Sequence, residues 1–304
     1  MDFKKIAAHP FLQINISVFL WGFTAILGKL ITVDAIMLVF LRMLIASSVF
    51  FIFPQTRAGY KNIDKSQIKT LAMIGTFICL HWLCFYYSIK VFNSSSVALV
   101  CLGTGPMFVI WLEYLFFKSK SPSSLEILIS IIAIVGLFFI CIGNKNEPTF
   151  NWKGDYFTAI FFGLLASLLA ALFTILNKKH TETISPFTTS FVELMTGAFL
   201  LFLFLYFQLR ITEIQSISLK DWSYILVLSI ICTNIPFLLS IFALKKLKAF
   251  TVTLTVNLEP IYGMMFAAIL FDEFTHFSYF FYLGVLLILI SVFIKPILSF
   301  QSKT

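Results

Sequence analysis

Ten long apolar runs follow one another along this chain of 304 residues, and they restrict its possible folds more than any motif does. A helix needs about 20 mostly apolar residues to cross a hydrocarbon layer of roughly 30 Å. Each run meets that requirement, so the sequence predicts an all-α integral membrane protein with ten transmembrane helices. The runs are approximately Phe11–Leu30, Asp34–Pro54, Thr70–Lys90, Ser95–Phe117, Leu125–Gly143, Tyr156–Asn177, Pro186–Leu209, Trp222–Leu244, Ala249–Phe271 and Phe277–Ile297.

The composition agrees with a chain that is mostly surrounded by lipid. Hydrophobic residues make up 60% of the sequence and charged residues 12%. A soluble domain carries about 25% charged residues, so this chain has too little polar surface for a large soluble fold. The lipid bilayer is therefore its first expected partner.

The basic residues are concentrated in particular loops. Clusters within 57–69 and 245–248 fall on the same side of the membrane when the loops are assigned to alternate sides. Basic residues in short loops mark the cytoplasmic side. We therefore expect a multi-pass protein with both termini in the cytoplasm. The net charge of +8 then follows from topology, and no nucleic-acid partner is expected.

The second half of the sequence resembles a rewritten copy of the first half. With five helices in each copy, the two halves must enter the membrane in opposite orientations, which is typical of secondary transporters. We expect the repeats to occupy residues 1–147 and 148–304. The matching segments are Phe40–Ala46 with Phe191–Gly197, Tyr87–Lys90 with Phe242–Lys245, and Ser95–Pro106 with Phe250–Pro260.

Several of these residues together resemble a known family. Trp21-Gly22, Arg42, Gly154-Asp155 and the stretch Leu258-Glu-Pro-Ile-Tyr-Gly263 before Phe271-Asp-Glu273 are similar to the EamA-type family of the drug/metabolite transporter superfamily. The resemblance implies a ten-helix carrier in the bacterial inner membrane. Such a carrier exports amino acids or other small metabolites by alternating access.

The first repeat departs from that pattern. Gly105 precedes its proline where the second repeat has Glu259. Ser119 stands where the second repeat has Glu273, and a carboxylate occurs instead at Glu113. Pro106 and Pro260 occupy equivalent positions. Proline removes a backbone donor, so we expect both to break their helices. Broken helices line the substrate pathway in many carriers. Glu259 is therefore a candidate pathway residue.

Two further ionisable residues lie deep within apolar runs. Charges at membrane depth are costly and usually face a cavity or a partner. Arg42 and Glu193 occupy equivalent positions in the two repeats, so we expect them close enough to pair or to bracket a zwitterionic substrate. Arg42 would then attract a carboxylate and Glu193 an ammonium group or a proton. A purely structural ion pair is the alternative reading.

The remaining candidates are polar or aromatic residues inside the apolar runs. His81 is a candidate proton relay, since an unperturbed histidine titrates near neutral pH. Two amides could bond across helices or contact substrate, and three aromatic side chains could form a pathway wall. These five residues are Asn234, Asn257, Trp21, Trp82 and Tyr86.

Motifs for other function classes are missing from the sequence. There is no phosphate-binding G-x-x-x-x-G-K-[ST] loop, no G-x-S-x-G elbow and no H-E-x-x-H pair. The five cysteines do not have metal-ligand spacing, so no metal, cofactor or catalytic residue is expected. A small-molecule substrate and protons are the expected soluble partners. A membrane-embedded enzyme and a non-transporting structural subunit are the alternatives.

Overall fold

The structure is a computed structural model that describes residues 9–117, 121–143, 154–180, 183–256, 258–271, 275 and 277–301. Almost all of these residues are helical. The α-helices are α1 (Pro10–Leu30), α2 (Ala35–Ile52), α3 (Pro54–Asn62), α4 (Lys65–Phe92), α5 (Ser95–Leu102), α6 (Gly105–Phe117), α7 (Ser124–Cys141), α8 (Asp155–His180), α9 (Pro186–Phe207), α10 (Leu219–Ser229), α11 (Ile235–Lys246), α12 (Ala249–Val256), α13 (Glu259–Phe271) and α14 (Tyr279–Gln301).

The helices are those of an all-α, multi-pass membrane protein. Within the described residues, eight helical segments are long and apolar enough to cross a bilayer, and two shorter apolar helices cover Ile261–Phe271 and Tyr279–Ser291. The eight are Pro10–Leu30, Ala35–Ile52, Lys65–Phe92, Ser95–Phe116, Ser124–Cys141, Asp155–His180, Pro186–Phe207 and Leu219–Lys246. Large apolar side chains such as Phe116 and Ile269 remain exposed on the outside, as a lipid-facing surface requires.

Local sequence signals determine where the helices begin. Asp34 accepts hydrogen bonds from the backbone N–H groups of Ile36 and Met37 and so caps α2. Asp64 and Gln67 form a reciprocal capping box that begins α4 at Lys65, five residues before the predicted start. The extra helix α3, which the apolar pattern did not predict, begins with a proline in its first turn.

Two transmembrane segments are interrupted near their prolines. The first is divided at Gly103-Thr104 between α5 and α6. In the second, α12 ends at Val256 and α13 begins at Glu259, with Leu258 before it in a turn. Pro106 and Pro260 each follow the first residue of the helix after the break. Proline is tolerated in a first turn because the N–H that it lacks would have no intrahelical partner there.

A third irregularity joins α10 to α11 without ending the segment. Ile230–Asn234 forms a π-helical turn, in which backbone hydrogen bonds span five residues rather than four. Single π turns within α-helices often occur at functional sites. This one lies in the half-buried segment Leu219–Lys246, which faces the protein interior.

Close helix crossings hold the bundle together. α1 packs against α11 and α13, α8 packs against α4, α5 and α6, α2 packs against α9, and α7 packs against α14. A Cβ added to Gly284 would lie 2.5 Å from the carbonyl oxygen of Gly136, so α7 and α14 touch through their backbones. Small residues permit such approaches in membrane helix pairs.

Candidate functional site

A cavity of about 120 Å³ lies in the interior of the bundle. Helices from both halves of the sequence form its wall, including α1, α2, α4, α8, α11 and α12. Both interrupted segments also contribute, through Gly105 at the start of α6 and Glu259 at the start of α13. Ligand sites at interrupted helices between two halves are a general feature of carriers. Its other lining residues include Trp21, Thr24, Arg42, His81, Trp82, Phe173, Asn177, Phe237 and Ser240.

Arg42 is the basic group of this cavity, and three neighbours fix its guanidinium. Arg42 is only 1% exposed. Its Nε donates a hydrogen bond of 2.7 Å to Oγ1 of Thr233, and one Nη donates at 2.6 Å to the hydroxyl of Tyr86. Its Cζ lies 3.8 Å from the centre of the Trp82 ring, a cation–π contact. The side chain is therefore held in one orientation.

The supports of Arg42 are themselves built into the helices. Thr233 belongs to the π turn, and its hydroxyl donates at 2.7 Å to the carbonyl of Leu228, five residues earlier. With its hydrogen used in that bond, the hydroxyl oxygen accepts from Arg42 through a lone pair. A Cβ on Gly28 would lie 2.4 Å from a ring carbon of Tyr86, so only glycine leaves room for that ring. Local backbone features on two helices thus position the guanidinium.

Arg42 retains donor capacity that its supports do not use. A guanidinium has five N–H groups in a planar fork. Nε and one Nη make the two bonds to Thr233 and Tyr86, and among the described residues the second Nη makes no hydrogen bond. No carboxylate of those residues lies within 4.0 Å of Arg42. The free edge of the guanidinium can therefore donate hydrogen bonds to an anionic group in the cavity.

Glu259 is the carboxylate that shares this cavity with Arg42. It is 6% exposed and occupies the first position of α13, beside the helix break. Glu259 and Arg42 both line the cavity. Within the described part of the chain, however, the two groups form no ion pair at 4.0 Å or less. The cavity thus presents an acidic and a basic side chain that are not paired with each other.

Glu193 does not take the place that the sequence predicted for it. It is completely buried and does not line the cavity. The expected pair with Arg42 is not found among the ion pairs of the described residues. Glu193 instead interacts with the side chain of Asn177, which does line the cavity. Equivalent positions in two repeats share a depth, but they need not share a neighbour.

The other predicted residues divide into two groups. Trp21, Trp82 and His81 line the cavity. Nδ1 of His81 donates to the carbonyl of Ala166 at 2.7 Å, which fixes the ring and leaves Nε2 as its free nitrogen.

Tyr86 and Asn234 are buried behind the cavity and act on other protein groups. Tyr86 supports Arg42, and the Asn234 amide donates to the carbonyl of Ala46 at 2.9 Å, which joins two helices. Asn257 lies outside the described residues, and so does the predicted repeat boundary at 147–148.

The sequence reading missed two residues that the geometry makes important, namely Asn177 and Thr233. Asn177 closes the predicted sixth run, where an amide resembles an ordinary helix end. Thr233 is one of many hydroxyls in apolar runs, and only the π turn directs it to Arg42. The one signal available in the sequence for Thr233 was its position next to Asn234, which was predicted as a pathway residue.

Polar contacts close the bundle at the end where α1 and α2 are joined. Thr32 donates to Asp221 from both its backbone N–H and its hydroxyl, each at 2.7 Å. Arg210 forms an ion pair with Asp34 at 2.7 Å and another with Glu213 at 2.9 Å. These bonds, chiefly the one with Glu213, raise the pKa of Arg210 above its usual range. We call Thr32, Asp34, Arg210 and Asp221 the polar latch.

The cavity extends toward the opposite end of the bundle. There its wall includes Asn177 near the end of α8 and Leu244 near the end of α11. Lys178 also lies at that end, and its Nζ donates to the carbonyl of Leu244 at 3.1 Å. The cavity is therefore asymmetric, with the polar latch across one end and the ends of α8 and α11 at the other.

Comparison with known proteins gives the family. The model of the EamA-like transporter family matches residues 11–142 and 157–295. The chain belongs to the EamA-like transporter family. This family is part of the drug/metabolite transporter superfamily. Membership indicates a membrane transporter rather than an enzyme, and a small-molecule substrate. Within the described residues, no group of three or more His, Cys, Asp or Glu could hold a metal ion.

Curated relatives of this EamA-like chain are also named as transporters. It is 24% identical over 264 residues to the uncharacterized transporter YxxF of Bacillus subtilis, covering 84% of this chain and 80% of that one. The uncharacterized transporter YetK of the same organism is 21% identical over 91% of this chain and 83% of its own length. An uncharacterized transporter of Archaeoglobus fulgidus is 26% identical over 62% of this chain and 65% of its own.

A solved crystal structure has the same fold. It superimposes on 95% of this chain and 98% of its own residues with a TM-score of 0.61. The sequences are 12% identical, so this likeness concerns the fold alone.

Proposed function

We propose that the chain is a secondary transporter that exports small zwitterionic metabolites, such as amino acids, across the bacterial inner membrane. The observation that carries the proposal is that an acidic and a basic side chain share the cavity. Arg42 and Glu259 face the same space without forming an ion pair among the described residues. A molecule with a carboxylate and an ammonium group would satisfy both charges at once. Membrane charges without a direct partner typically mark such pathways.

The rest of the cavity suits the apolar part of a small metabolite. Trp21, Trp82, Phe173 and Phe237 supply aromatic surface beside the charges. A volume of about 120 Å³ is below the range of about 300–1,000 Å³ for pockets that hold drug-sized ligands. A multiply phosphorylated substrate would require several basic groups, and Arg42 is the one arginine or lysine among the cavity residues.

We further propose ten membrane spans arranged as inverted repeats at 1–147 and 148–304. The helix packing supports this arrangement, because it is unchanged when each span is exchanged with its counterpart. α1 packs on α11 and α13, as α8 packs on α4, α5 and α6. The exchange leaves the contact of α2 with α9 and that of α7 with α14 unchanged, because the two helices of each pair are counterparts of each other.

Lysine contacts and the family match agree with the repeat. Nζ of Lys90 donates to the carbonyl of Ile31, and Nζ of Lys245 donates to the carbonyl of Ile184. In both cases the lysine lies in the last turn of a span, and the acceptor lies in the connection between the first two spans of the same repeat. The family model also matches two segments of similar length, 11–142 and 157–295.

The asymmetry of the cavity supports an inward-facing state of an alternating-access cycle. The cavity extends to the ends of α8 and α11, where α1 begins and where the basic loops predict the cytoplasm. The polar latch joins the two repeats at the other end. Export then requires the latch to open while the cytoplasmic end closes. A substrate would enter from the cytoplasm and leave past Asp34 and Asp221.

The zwitterion proposal can be tested with matched ligands. The protein, reconstituted in liposomes, is offered one amino acid, the amine that lacks its carboxylate, and the acid that lacks its amino group. We expect the zwitterion to be transported best. Arg42→Gln should abolish the advantage over the amine, and Glu259→Gln the advantage over the acid. Variants that lower all three rates equally, with folding intact, would contradict separate roles for the two charges.

The latch proposal can be tested by labelling. Ser240→Cys, in a background without the native cysteines, places a thiol on the cavity wall. While the polar latch is intact, a membrane-impermeant reagent should reach this thiol from the cytoplasmic side. Asp34→Asn should increase labelling from the other side several-fold, since exposed ion pairs contribute about 0.2–1 kcal/mol. Glu213→Gln also removes a carboxylate partner of Arg210, but Glu213 and Arg210 lie in the same repeat. This variant should therefore be labelled from the same side as the wild type.

A further inference from the structure

The first turns of α9 contain buried oxygen atoms that hydrogen bonding does not explain. Thr189 and Ser190 are completely buried, and no group of the described residues forms a hydrogen bond with either hydroxyl. Both carboxylate oxygens of Glu193 are completely buried and equally without a hydrogen bond of normal geometry. Buried polar atoms are normally paired, so several orphans in one place require an explanation.

Helical spacing brings these three side chains together. Glu193 follows Thr189 by four residues and Ser190 by three, so all three share one face of α9, with Cβ atoms about 5–6 Å apart. Thr188 also has an unbonded, buried hydroxyl, but it belongs to another contact. A Cβ on Gly59 would lie 2.0 Å from Oγ1 of Thr188, which directs that hydroxyl toward α3.

A second helix contributes to the same place. Asn177 of α8 interacts with Glu193 and also lines the cavity, so it connects these oxygens with the proposed substrate site. In the described structure no lysine, arginine or histidine forms an ion pair with Glu193. Ionisable side chains at membrane depth usually have a partner.

We propose that Glu193, Thr189 and Ser190 bind a sodium ion, with Asn177 beside it in contact with Glu193. Hard cations are bound by oxygen ligands, and carboxylate and hydroxyl oxygens are the atoms present. A proton on Glu193 would neutralise the carboxylate but would supply one O–H donor, which can reach one of the two hydroxyl oxygens at most. A sodium ion between the three side chains coordinates an oxygen of each and supplies a positive charge.

The ion site deepens the proposed function and rests on it for its role in transport. Asn177 contacts both the ion site and the cavity, so ion binding and substrate binding affect each other reciprocally. An inward sodium gradient could then drive export of the substrate in exchange for sodium. Sodium binding itself does not depend on a substrate and can be measured alone.

The test measures the unfolding temperature of the full chain in detergent at equal concentrations of sodium, potassium and choline chloride. A ligand at one hundred times its Kd stabilises the native state enough to raise Tm by about 5 °C. We expect that rise with sodium only. Equal Tm values in the three salts, or a rise that follows lower pH without regard to sodium, would overturn the proposal.

Variants locate the ion. Glu193→Gln and Thr189→Val keep the size of each side chain and should abolish the sodium-dependent rise. Thr188→Val makes the same change one residue earlier, outside the group, and should retain it. Binding of radioactive sodium to the wild-type chain, displaced by excess unlabelled sodium, gives a measurement that no variant can obscure. A sodium-dependent rise that persists in Glu193→Gln would place the ion elsewhere and refute the assignment.

The two proposals fail separately. Loss of the zwitterion preference with sodium binding intact would reject the proposed substrate class and leave the ion site standing. Transport of the zwitterion by Arg42 and Glu259 without any sodium binding would reject the ion site alone.

Discussion

Replacing Arg42 by lysine keeps the positive charge of the cavity but removes its geometry. The guanidinium donates to Thr233 and Tyr86 and lies over the Trp82 ring, which leaves one edge for a substrate carboxylate. An ammonium group is a point charge that cannot present two parallel N–H groups while it keeps those supports. Arg42→Lys therefore loses at least one charge-assisted hydrogen bond to the substrate.

The size of the loss follows from that single bond. A hydrogen bond to a charged group contributes about 1.5–3 kcal/mol. Because about 1.4 kcal/mol corresponds to a tenfold change in Kd, Arg42→Lys should weaken substrate binding by about 10- to 100-fold. Isothermal titration or ligand-dependent thermal shift on the detergent-purified protein gives the two Kd values.

The protein offers a control for the substitution itself. Arg57→Lys makes the same chemical change on the exposed helix α3, where the guanidinium donates one long hydrogen bond of 3.3 Å to the carbonyl of Ile52. Its substrate affinity should equal that of the wild type. If Arg42→Lys is folded and binds the substrate as tightly as Arg57→Lys does, the assignment of the carboxylate site to Arg42 is wrong.

Two further substitutions test the supports of the cavity and of the bundle. Tyr86→Phe removes the acceptor of the guanidinium and should weaken substrate binding at least tenfold by titration, whereas Tyr87→Phe, half-exposed and next to it, should have no effect. Gly284→Ala adds a methyl group 2.5 Å from the carbonyl oxygen of Gly136 and should destabilise the fold by about 1–3 kcal/mol, seen as a lower Tm. Gly105→Ala, with no atom nearer than 3.3 Å, should retain the wild-type Tm, and an equal fall in both would refute the crossing argument.

The fold class could be predicted because hydrophobicity acts at the scale of whole segments. Ten apolar runs are visible without any knowledge of packing, and the described helices overlap all of them. Features of a few residues were less accessible. Helix α3 is polar and short, and the π turn at Ile230–Asn234 has no composition that separates it from α-helix. Both depend on tertiary contacts that a linear pattern does not contain.

The candidate site was predictable to the extent that depth and charge decide it. Arg42 and Glu259 stood out as ionisable residues in apolar runs, and both line the cavity. The expected ion pair of Arg42 with Glu193 is not found among the described residues, because repeat symmetry fixes the level of a residue, not the rotation of its side chain. Glu193 interacts with Asn177 instead. The sequence offers no signal for that rotation.

The π turn at Ile230–Asn234 has a consequence for comparing this chain with its relatives. A π turn holds one residue more than an α-helix over the same length, so it behaves as a local insertion. Relatives without that residue would show a one-residue gap near Thr233 in a structural alignment. The helix after the gap would keep its place, while the threonine would rotate by about 100° away from the arginine. The presence or absence of that gap would then separate relatives in which this helix can supply a hydrogen-bond acceptor at the place of Thr233 from relatives in which it cannot.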